Sequence, residues 1–312
     1  MSILIVLQQI APLFIIMFIG LFVGHLYKSN QVITQFLSWL SISVFLPASL
    51  IKSFSAPMTA QMLQEGSILI LTGAVTLIFT FFLSYVVVRL LKLKIPSSNI
   101  VYFSLMFSNF GFVGVGIISS VYGDLGLFYM TMYVLVMRFA YNSFGTAVMQ
   151  RGVNDKDRLT FRQIFLNPPI IALVVGLFIM VFQIRFPAPV KASIDALAAC
   201  LSPVGMLTVG MLTANFPLKA FFSNARVYVL VFLRLLGIPL LVTFVMWLIG
   251  FRGMMLTVSA LTLALPAAAN CCLLAERYNG DVMLGTQIVT ITNTFSVITM
   301  PLIVAFAERL AG

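Results

Sequence analysis

The chain has 312 residues, of which 61% are hydrophobic and only 8% are charged. This composition excludes an ordinary soluble domain and is typical of an integral membrane protein. The formal net charge of +10 does not indicate nucleic-acid binding, because the basic residues lie between apolar runs, where they orient a protein in the bilayer. We therefore expect the protein to lie in the lipid bilayer and to bind no nucleic acid.

Ten apolar runs follow one another along the chain, each close to the roughly 20 residues that a helix needs to cross a bilayer. Turn or charge signals separate most of them. We therefore predict an all-α integral membrane protein with ten transmembrane helices. The predicted spans are residues 3–24, 32–54, 67–91, 98–121, 126–149, 164–184, 193–213, 227–250, 253–274 and 282–306.

The two halves of the chain resemble each other at a fixed offset of 156 residues. At this offset Pro12 corresponds to Pro168, and the tripeptide Gly-Leu-Phe at residues 20–22 recurs at residues 176–178. A duplicated unit with five spans forces its second copy to enter the membrane from the opposite side. The sequence thus predicts two inverted five-helix repeats, the arrangement found in many secondary transporters.

A polar segment between the halves divides the chain into three parts. Residues 1–150 form the first five-span repeat, residues 151–163 a polar cytoplasmic connector, and residues 164–312 the second, inverted repeat. If the N-terminus lies outside, the inner loops hold 11 basic residues and the outer side holds five. Because basic residues favour the cytoplasmic side, we expect both termini outside.

The sequence LPAAAN at residues 265–270 interrupts the ninth span. Pro266 lacks a backbone donor and its ring opposes the carbonyl four residues earlier, so a continuous helix is not expected. Asn270 then brings an amide to membrane depth. Irregular backbone in a membrane is tolerated only beside protein or a water-filled cavity. This pattern predicts a binding site.

The fourth span is weakened at the position that the repeat offset relates to LPAAAN. Asn109 is followed by Gly111, Gly114 and Gly116, and glycines disfavour a continuous helix. Broken helices that cross present partial positive charge near the midplane, and neither span carries an acid to offset it. We therefore expect an anionic ligand rather than a cation or proton site. Close helix packing is the alternative role of such small residues.

Arg138 lies near the centre of the fifth span, where an isolated charge is costly, so we expect it to face inward with a partner. Thr131, Arg138 and Asn142 share one face of that helix. The guanidinium suits a carboxylate held by two hydrogen bonds; capping of carbonyls freed by a broken neighbour, or snorkelling, is the alternative. A functional role is less favoured for Arg234 in the eighth span, because it lies nearer its helix end, and snorkelling toward the interface is the alternative.

The tenth span contains a dense run of Thr and Asn residues, including Asn293, that lines a path or joins helices. An intramembrane enzyme is disfavoured, because His25 lies at a span end and Asp124 and Asp281 lie in loops. No catalytic residue, metal or cofactor is expected. The candidate substrate-binding residues are Asn109, Gly111, Arg138, Asn142, Pro266, Asn270 and Asn293.

Two segments carry a resemblance to a known family. They read ALPAAANCCLLAERYNGD at residues 264–281 and TQIVTITNTFSVITMPLI at residues 286–303. With the two five-span halves, they resemble the auxin efflux carrier family, in its short bacterial members, within the superfamily of bile, arsenite and riboflavin transporters. The resemblance covers essentially the whole chain. It implies a scaffold of spans 1, 2, 6 and 7 and a transport part of spans 3–5 and 8–10, in a bacterial inner membrane.

The resemblance also implies a function. Members export or permeate organic anions: auxins in plants, and dicarboxylates such as malate or malonate in some bacterial members. The crossing residues of the family correspond to Asn109, Pro266 and Asn270. Plant members have a proline in span 4 as well, where this chain has Phe110 at the repeat position.

The expected function is therefore a secondary transporter that moves a small carboxylate or dicarboxylate by alternating access. A sodium-coupled organic-anion symporter of the bile-acid type is the alternative, although its sodium sites depend on a membrane glutamate that this chain lacks. A channel is a further alternative. Coupling to protons or drive by the membrane potential, and a homodimer, remain open.

Overall fold

The computed structural model describes residues 3–26, 31–55, 59–152, 168–214, 225–278 and 280–312. Within these ranges the chain is helical and forms no β-strand, only one isolated β-bridge. This confirms the predicted all-α fold. The greater part of the predicted polar connector lies outside the described ranges.

The helices are named here in chain order. They are α1 Ile3–Leu26, α2 Gln31–Leu40, α3 Leu46–Phe54, α4 Ala60–Leu90, α5 Ser97–Met106, α6 Val115–Ala140, α7 Thr146–Met149, α8 Pro168–Phe182, α9 Ala188–Ala214, α10 Ala225–Phe232, α11 Ile238–Leu248, α12 Gly253–Ala264, α13 Asn270–Arg277 and α14 Val282–Ala311. Single π-helical turns join or precede some of them, at Ser41–Phe45, Phe110–Gly114, Tyr141–Gly145 and Leu233–Gly237.

Six continuous stretches of the described chain are long and apolar enough to cross a membrane: Val32–Phe54, Gln61–Leu90, Val115–Ala140, Ala188–Ala214, Ala225–Leu248 and Val282–Ala311. Their outer faces are apolar: Leu71 and Phe82 on α4 expose 67% and 60% of their surface. So extensive an exposed apolar surface suits contact with lipid rather than water. The molecule is an integral membrane protein; the division into ten spans stays a prediction.

Gly123 divides α6 into two helical segments. Its φ of 64° and ψ of −157° are accessible to glycine at little cost, because it has no Cβ. The chain therefore turns at the place where the sequence predicts the loop between spans 4 and 5. Asp124 follows the turn, and its Oδ1 lies 3.6 Å from Nζ of Lys52 at the end of α3. This ion pair is partly exposed, so its contribution to stability is small.

Helices α1 and α9 pack with their backbones close together. A side chain at Gly20 would collide with the backbone of Leu207, and one at Gly210 would collide with the carbonyl of Met17. Small residues that let backbones approach are the usual means of helix association in membranes. Elsewhere α3 packs against α8, α4 against α6, and α12 against both α6 and α14.

Candidate substrate site at two interrupted helices

Two helices of the protein are interrupted and meet at their interruptions. Helix α5 ends at Met106 and α12 ends at Ala264. The segments that follow pair as a short antiparallel bridge between Ser108 and Ala267. We call residues 107–109 and 265–269 the junction. Both interruptions lie where the sequence predicts a broken helix.

Backbone hydrogen bonds across the junction hold the two segments together. The amide of Asn109 donates to the carbonyl of Pro266 at 2.8 Å, and the amide of Ala268 donates to the carbonyl of Phe107 at 3.2 Å. The amide of Ala267 donates to Oγ1 of Thr292 on α14 at 3.2 Å. These bonds satisfy backbone groups that the broken helices leave without a partner, as burial in a membrane requires.

The interruption in the fourth span needs no proline. Leu265 is extended because it precedes Pro266, which disfavours the helical conformation there. Phe107 is extended as well, with φ −117° and ψ 124°, although no proline follows it. Its conformation is stabilised by the hydrogen bonds to the opposite segment. The bridge pairs Ser108 with Ala267, so the break in the fourth span lies at Phe107–Asn109 and comes before Phe110.

Arg234 joins the ends of both interrupted helices. Its Nη1 donates to the carbonyl of Leu105 at 3.3 Å and its Nη2 to the carbonyl of Leu265 at 3.1 Å. The residue is only 2% exposed. The alternative that it snorkels toward the interface therefore does not hold. The carbonyls at the C-termini of two helices carry partial negative charge and stabilise the buried guanidinium. The position of Arg234 within the eighth span gave no indication of these partners.

A cavity of about 140 Å³ lies on one side of the junction. It contains three of the predicted site residues: Asn109, Gly111 and Arg138. Helices from both halves of the chain contribute to its wall. The lining residues are Ile42, Leu46, Ser108, Asn109, Phe110, Gly111, Arg138, Tyr141, Pro168, Pro169, Ile170, Leu173, Ala268 and Ala269.

The Arg138 guanidinium supplies a buried positive charge at this cavity. Arg138 is 4% exposed, and its Cζ lies 4.9 Å from the ring centroid of Phe110, within the range of a cation–π contact. Tyr141 completes this corner of the wall; the sequence analysis did not select it, although it adjoins Asn142. Among the described lining residues there is no Asp or Glu.

The start of a helical segment faces the same cavity. The carbonyl of Asn109 accepts a hydrogen bond from the amide of Gly114 at 2.9 Å and so begins the π-helical turn Phe110–Gly114. Amides in the first turn of a helix have no partner within it, and they carry partial positive charge. Asn109 is 4% exposed and lines the cavity at this helix start.

The glycines of the fourth span have different roles. A side chain at Gly114 would meet Cδ1 of Leu265 at 2.7 Å, so this glycine permits close packing at the junction. A side chain at Gly111 would meet only Cδ2 of Leu46, at 3.9 Å. Packing does not require a glycine there. The missing side chain instead leaves space in the cavity.

The remaining predicted residues are not brought together at this cavity. The carbonyl of Pro266 is part of the junction. Asn293 lies in α14 and lines a second, smaller cavity. Thr131 is fully buried and its hydroxyl donates to the carbonyl of Leu127 at 2.7 Å. The side chains of Asn142 and Asn270 lie outside the described part of the structure.

Comparison with known proteins gives the family. The model of the family described as membrane transport protein matches residues 5–304. An uncharacterized transporter of Methanothermobacter thermautotrophicus is 26% identical over 195 residues, which cover 62% of this chain and 63% of that protein. An uncharacterized transporter of Methanocaldococcus jannaschii is 22% identical over 296 residues, 92% of this chain and 96% of that protein. Because the match extends over nearly the whole chain, the protein belongs to the membrane transport protein family, and its resemblance to auxin efflux carriers is confirmed.

Proposed function

We propose that the protein is a secondary transporter of a small organic anion, a carboxylate or dicarboxylate, that works by alternating access. The observation that carries this proposal is the buried guanidinium of Arg138 at a cavity where a helical segment begins. Both features attract negative charge. The described lining residues contribute no carboxylate to neutralise them. A substrate carboxylate would suit this positively polarised environment.

An inverted repeat gives such a transporter its two alternating conformations. One pair of packing contacts supports the repeat. At the 156-residue offset, Gly20 corresponds to Gly176 and Phe54 corresponds to Gly210. The backbone of Gly20 lies against Gly210, and Gly176 lies against the ring of Phe54. Contacts between equivalent positions are expected if two copies of one unit pack around a pseudo-two-fold axis.

We further propose that the protein spans the plasma membrane of the cell in ten passes with both termini outside. The bias of basic residues toward the inner loops supports this topology. The junction would then belong to a transport part that moves against a scaffold containing α1, α3, α8 and α9. The contacts of α1 with α9 and of α3 with α8 agree with such a scaffold.

A thermal-shift screen with the purified protein tests the substrate class. Ligands that bind the folded state raise its apparent melting temperature. We expect mono- and dicarboxylates to do so in the wild type, and organic amines of similar size not to. The Arg138→Ala variant should lose the response to carboxylates. A response to amines alone, or none to any carboxylate, would exclude an organic-anion site.

Transport in proteoliposomes then separates a carrier from a channel. A carrier loaded with an unlabelled carboxylate that binds in the screen should accumulate the labelled form by counterflow. A channel gives no such exchange and shows single-channel currents instead. Replacement of sodium by choline in the same assay tests the sodium-coupled alternative.

A further inference from the structure

A second cavity adjoins the junction at Ala269. It has a volume of about 60 Å³, enough for several water molecules or one carboxylate group. Its wall comes from α9, α14 and the first turn of α13. The lining residues are Val209, Leu212, Thr213, Ala269, Cys272, Thr286, Val289, Thr290 and Asn293.

Asn293 is the polar side chain of this cavity that has hydrogen-bonding capacity left. It is 3% exposed, and its Nδ2 is buried with no hydrogen-bond partner among the described residues. A buried donor in this state costs about 1–3 kcal/mol of stability. Such a cost is typically retained at functional sites, where a ligand supplies the missing acceptor.

Two of the three threonine hydroxyls that line the cavity have already used their protons. Oγ1 of Thr213 donates to the carbonyl of Val209 at 2.8 Å, and Oγ1 of Thr286 donates to the carbonyl of Val282 at 2.7 Å. A hydroxyl has one proton to donate, so these groups cannot also donate to a ligand. The Asn293 amide, unlike these two hydroxyls, still has a donor for a ligand.

The start of α13 gives the second cavity the same electrostatic character as the first. Ala269 immediately precedes α13 and Cys272 lies in its first turn, and both line the cavity. Amides in the first turn of a helix are positively polarised. Within the described residues, neither Asp nor Glu lines this cavity. An unpaired donor and a helix start both favour an anionic oxygen over a cation.

The two cavities are adjacent and built alike. Ala269 lines both of them, so they meet at this residue of the junction. The first cavity is lined by the break after α5 and by the long helix α6 that follows it. The second cavity is lined by the break after α12 and by the long helix α14 that comes later in the same half of the chain. In the predicted repeat, α5 corresponds to α12 and the second part of α6 corresponds to α14. The second cavity is therefore the counterpart of the Arg138 cavity in the other half of the chain.

We propose that the second cavity is a further binding site for the transported carboxylate, in which the Asn293 amide donates a hydrogen bond to a substrate oxygen. This inference rests on the proposed anion transport. The substrate would pass from Arg138 in the first cavity to Asn293 in the second. Asn293 would thus act as a second specificity-determining residue.

Cys272 offers a reporter for this cavity that does not depend on transport. We would use the full-length protein with Cys200→Ser, and measure by mass spectrometry how fast a small thiol reagent modifies Cys272. Cys271 is fully buried and serves as an internal control for unfolding. The probes are acetate, malonate, succinate and malate, with sodium and choline chloride as salt controls.

We expect at least one carboxylate to slow the modification of Cys272 severalfold, and to lose this protection in the Asn293→Leu variant. Protection that persists in Asn293→Leu would overturn the proposal. So would protection by sodium chloride over choline chloride without any carboxylate, because it would indicate a cation site. Carboxylates that raise the melting temperature through Arg138 but never protect Cys272 would leave the proposed function intact and exclude the second site. If no carboxylate binds, both proposals fail.

The stability of Asn293→Leu distinguishes a binding role from a structural role. Leucine has the same branched outline, its larger methyl groups can extend into the adjoining cavity, and it removes the unsatisfied donor, so the variant should be at least as stable as the wild type. A binding role predicts normal or raised melting temperature together with a loss of protection of tenfold or more. A lowered melting temperature together with unchanged protection would assign Asn293 to helix packing alone.

Discussion

The backbone amide of Asn109 donates a hydrogen bond to the carbonyl of Pro266 at 2.8 Å. One residue lies in the fourth predicted span and the other in the ninth, so this bond ties together two helices from opposite halves of the chain. Because each segment provides partners that the other lacks, neither interruption is stable alone. A substitution in one segment should therefore affect both cavities.

Substitution of Arg138 tests whether its fork geometry binds the substrate. Arg138→Lys keeps the charge but loses the two-pronged donor, and Arg138→Ala loses both. A lost charge-assisted hydrogen bond is worth about 1.5–3 kcal/mol, so the half-saturating substrate concentration should rise roughly tenfold or more in Arg138→Ala. The half-saturating concentration of Arg138→Lys should lie between those of the wild type and Arg138→Ala. Uptake in proteoliposomes measures this concentration for both variants.

Arg89 provides the matched control for this series. It is an exposed arginine in the last turn of α4, where its guanidinium lies 5.2 Å from the ring centroid of Tyr85. Arg89→Ala should leave uptake near the wild-type value. Unchanged uptake in a well-inserted Arg138→Ala protein would remove Arg138 from the substrate site.

Arg234 should affect folding more than affinity. Arg234→Met deprives the carbonyls of Leu105 and Leu265 of their donor, at about 1–3 kcal/mol for each buried group. The apparent melting temperature should fall by several degrees and the yield of folded protein should drop. Arg234→Lys should restore part of the loss, since an ammonium also donates hydrogen bonds. A fully stable Arg234→Met protein would show that the junction does not depend on this cation.

Gly111 and Gly114 form a matched pair that separates space for substrate from helix packing. Gly114→Ala should lower the folding yield, because its methyl group would meet Leu265 at 2.7 Å. Gly111→Ala should fold normally and weaken binding of the larger carboxylates, because its methyl group narrows the cavity. Binding by thermal shift and yield by size-exclusion chromatography are measured on the same preparations. Equal losses of yield in both variants would support packing alone.

The sequence predicted the existence and the place of both interruptions. Pro266 acts on the backbone locally, whereas the break at Phe107–Asn109 lies just before the clustered glycines and depends on hydrogen bonds to the opposite segment. It also selected Asn109, Gly111 and Arg138, which meet at one cavity. It did not indicate the partners of Arg234, because the carbonyls that bind it belong to residues far away in the chain. Which polar side chains share a cavity depends on helix packing, and local sequence pattern does not determine packing.

The location of the central connector tests the proposed topology. A single cysteine introduced at Asp155, in a background without the three native cysteines, should react with a membrane-impermeant maleimide only from the cytoplasmic side. The reason is the cluster of basic residues between residues 151 and 162, which favours retention inside. If the maleimide labels intact cells, the connector lies outside and the orientation is the opposite of the proposed one. If it labels the cysteine only after the cells are permeabilised, the result agrees with both termini outside.

The last prediction concerns Pro266. In Pro266→Ala the new amide can donate to the carbonyl of Thr262, so α12 can extend through the junction. Extension would break the pairing with Asn109 and Phe107 and move the start of α13 away from both cavities. Because the electrostatic attraction of that helix start is common to all anions, transport of every carboxylate should fall, with selectivity unchanged.

Two further variants complete the test of Pro266. Pro12→Ala is the control, since Pro12 is exposed within α1 and lies outside the junction; it should transport normally. Asn270→Ala removes a single amide, worth about 1–3 kcal/mol, and should raise the half-saturating concentration roughly tenfold with normal insertion. If the junction serves only packing, Pro266→Ala and Asn270→Ala should instead lose folding yield, and the surviving protein should transport normally. Uptake per folded molecule therefore decides between a junction that binds substrate and one that only packs helices.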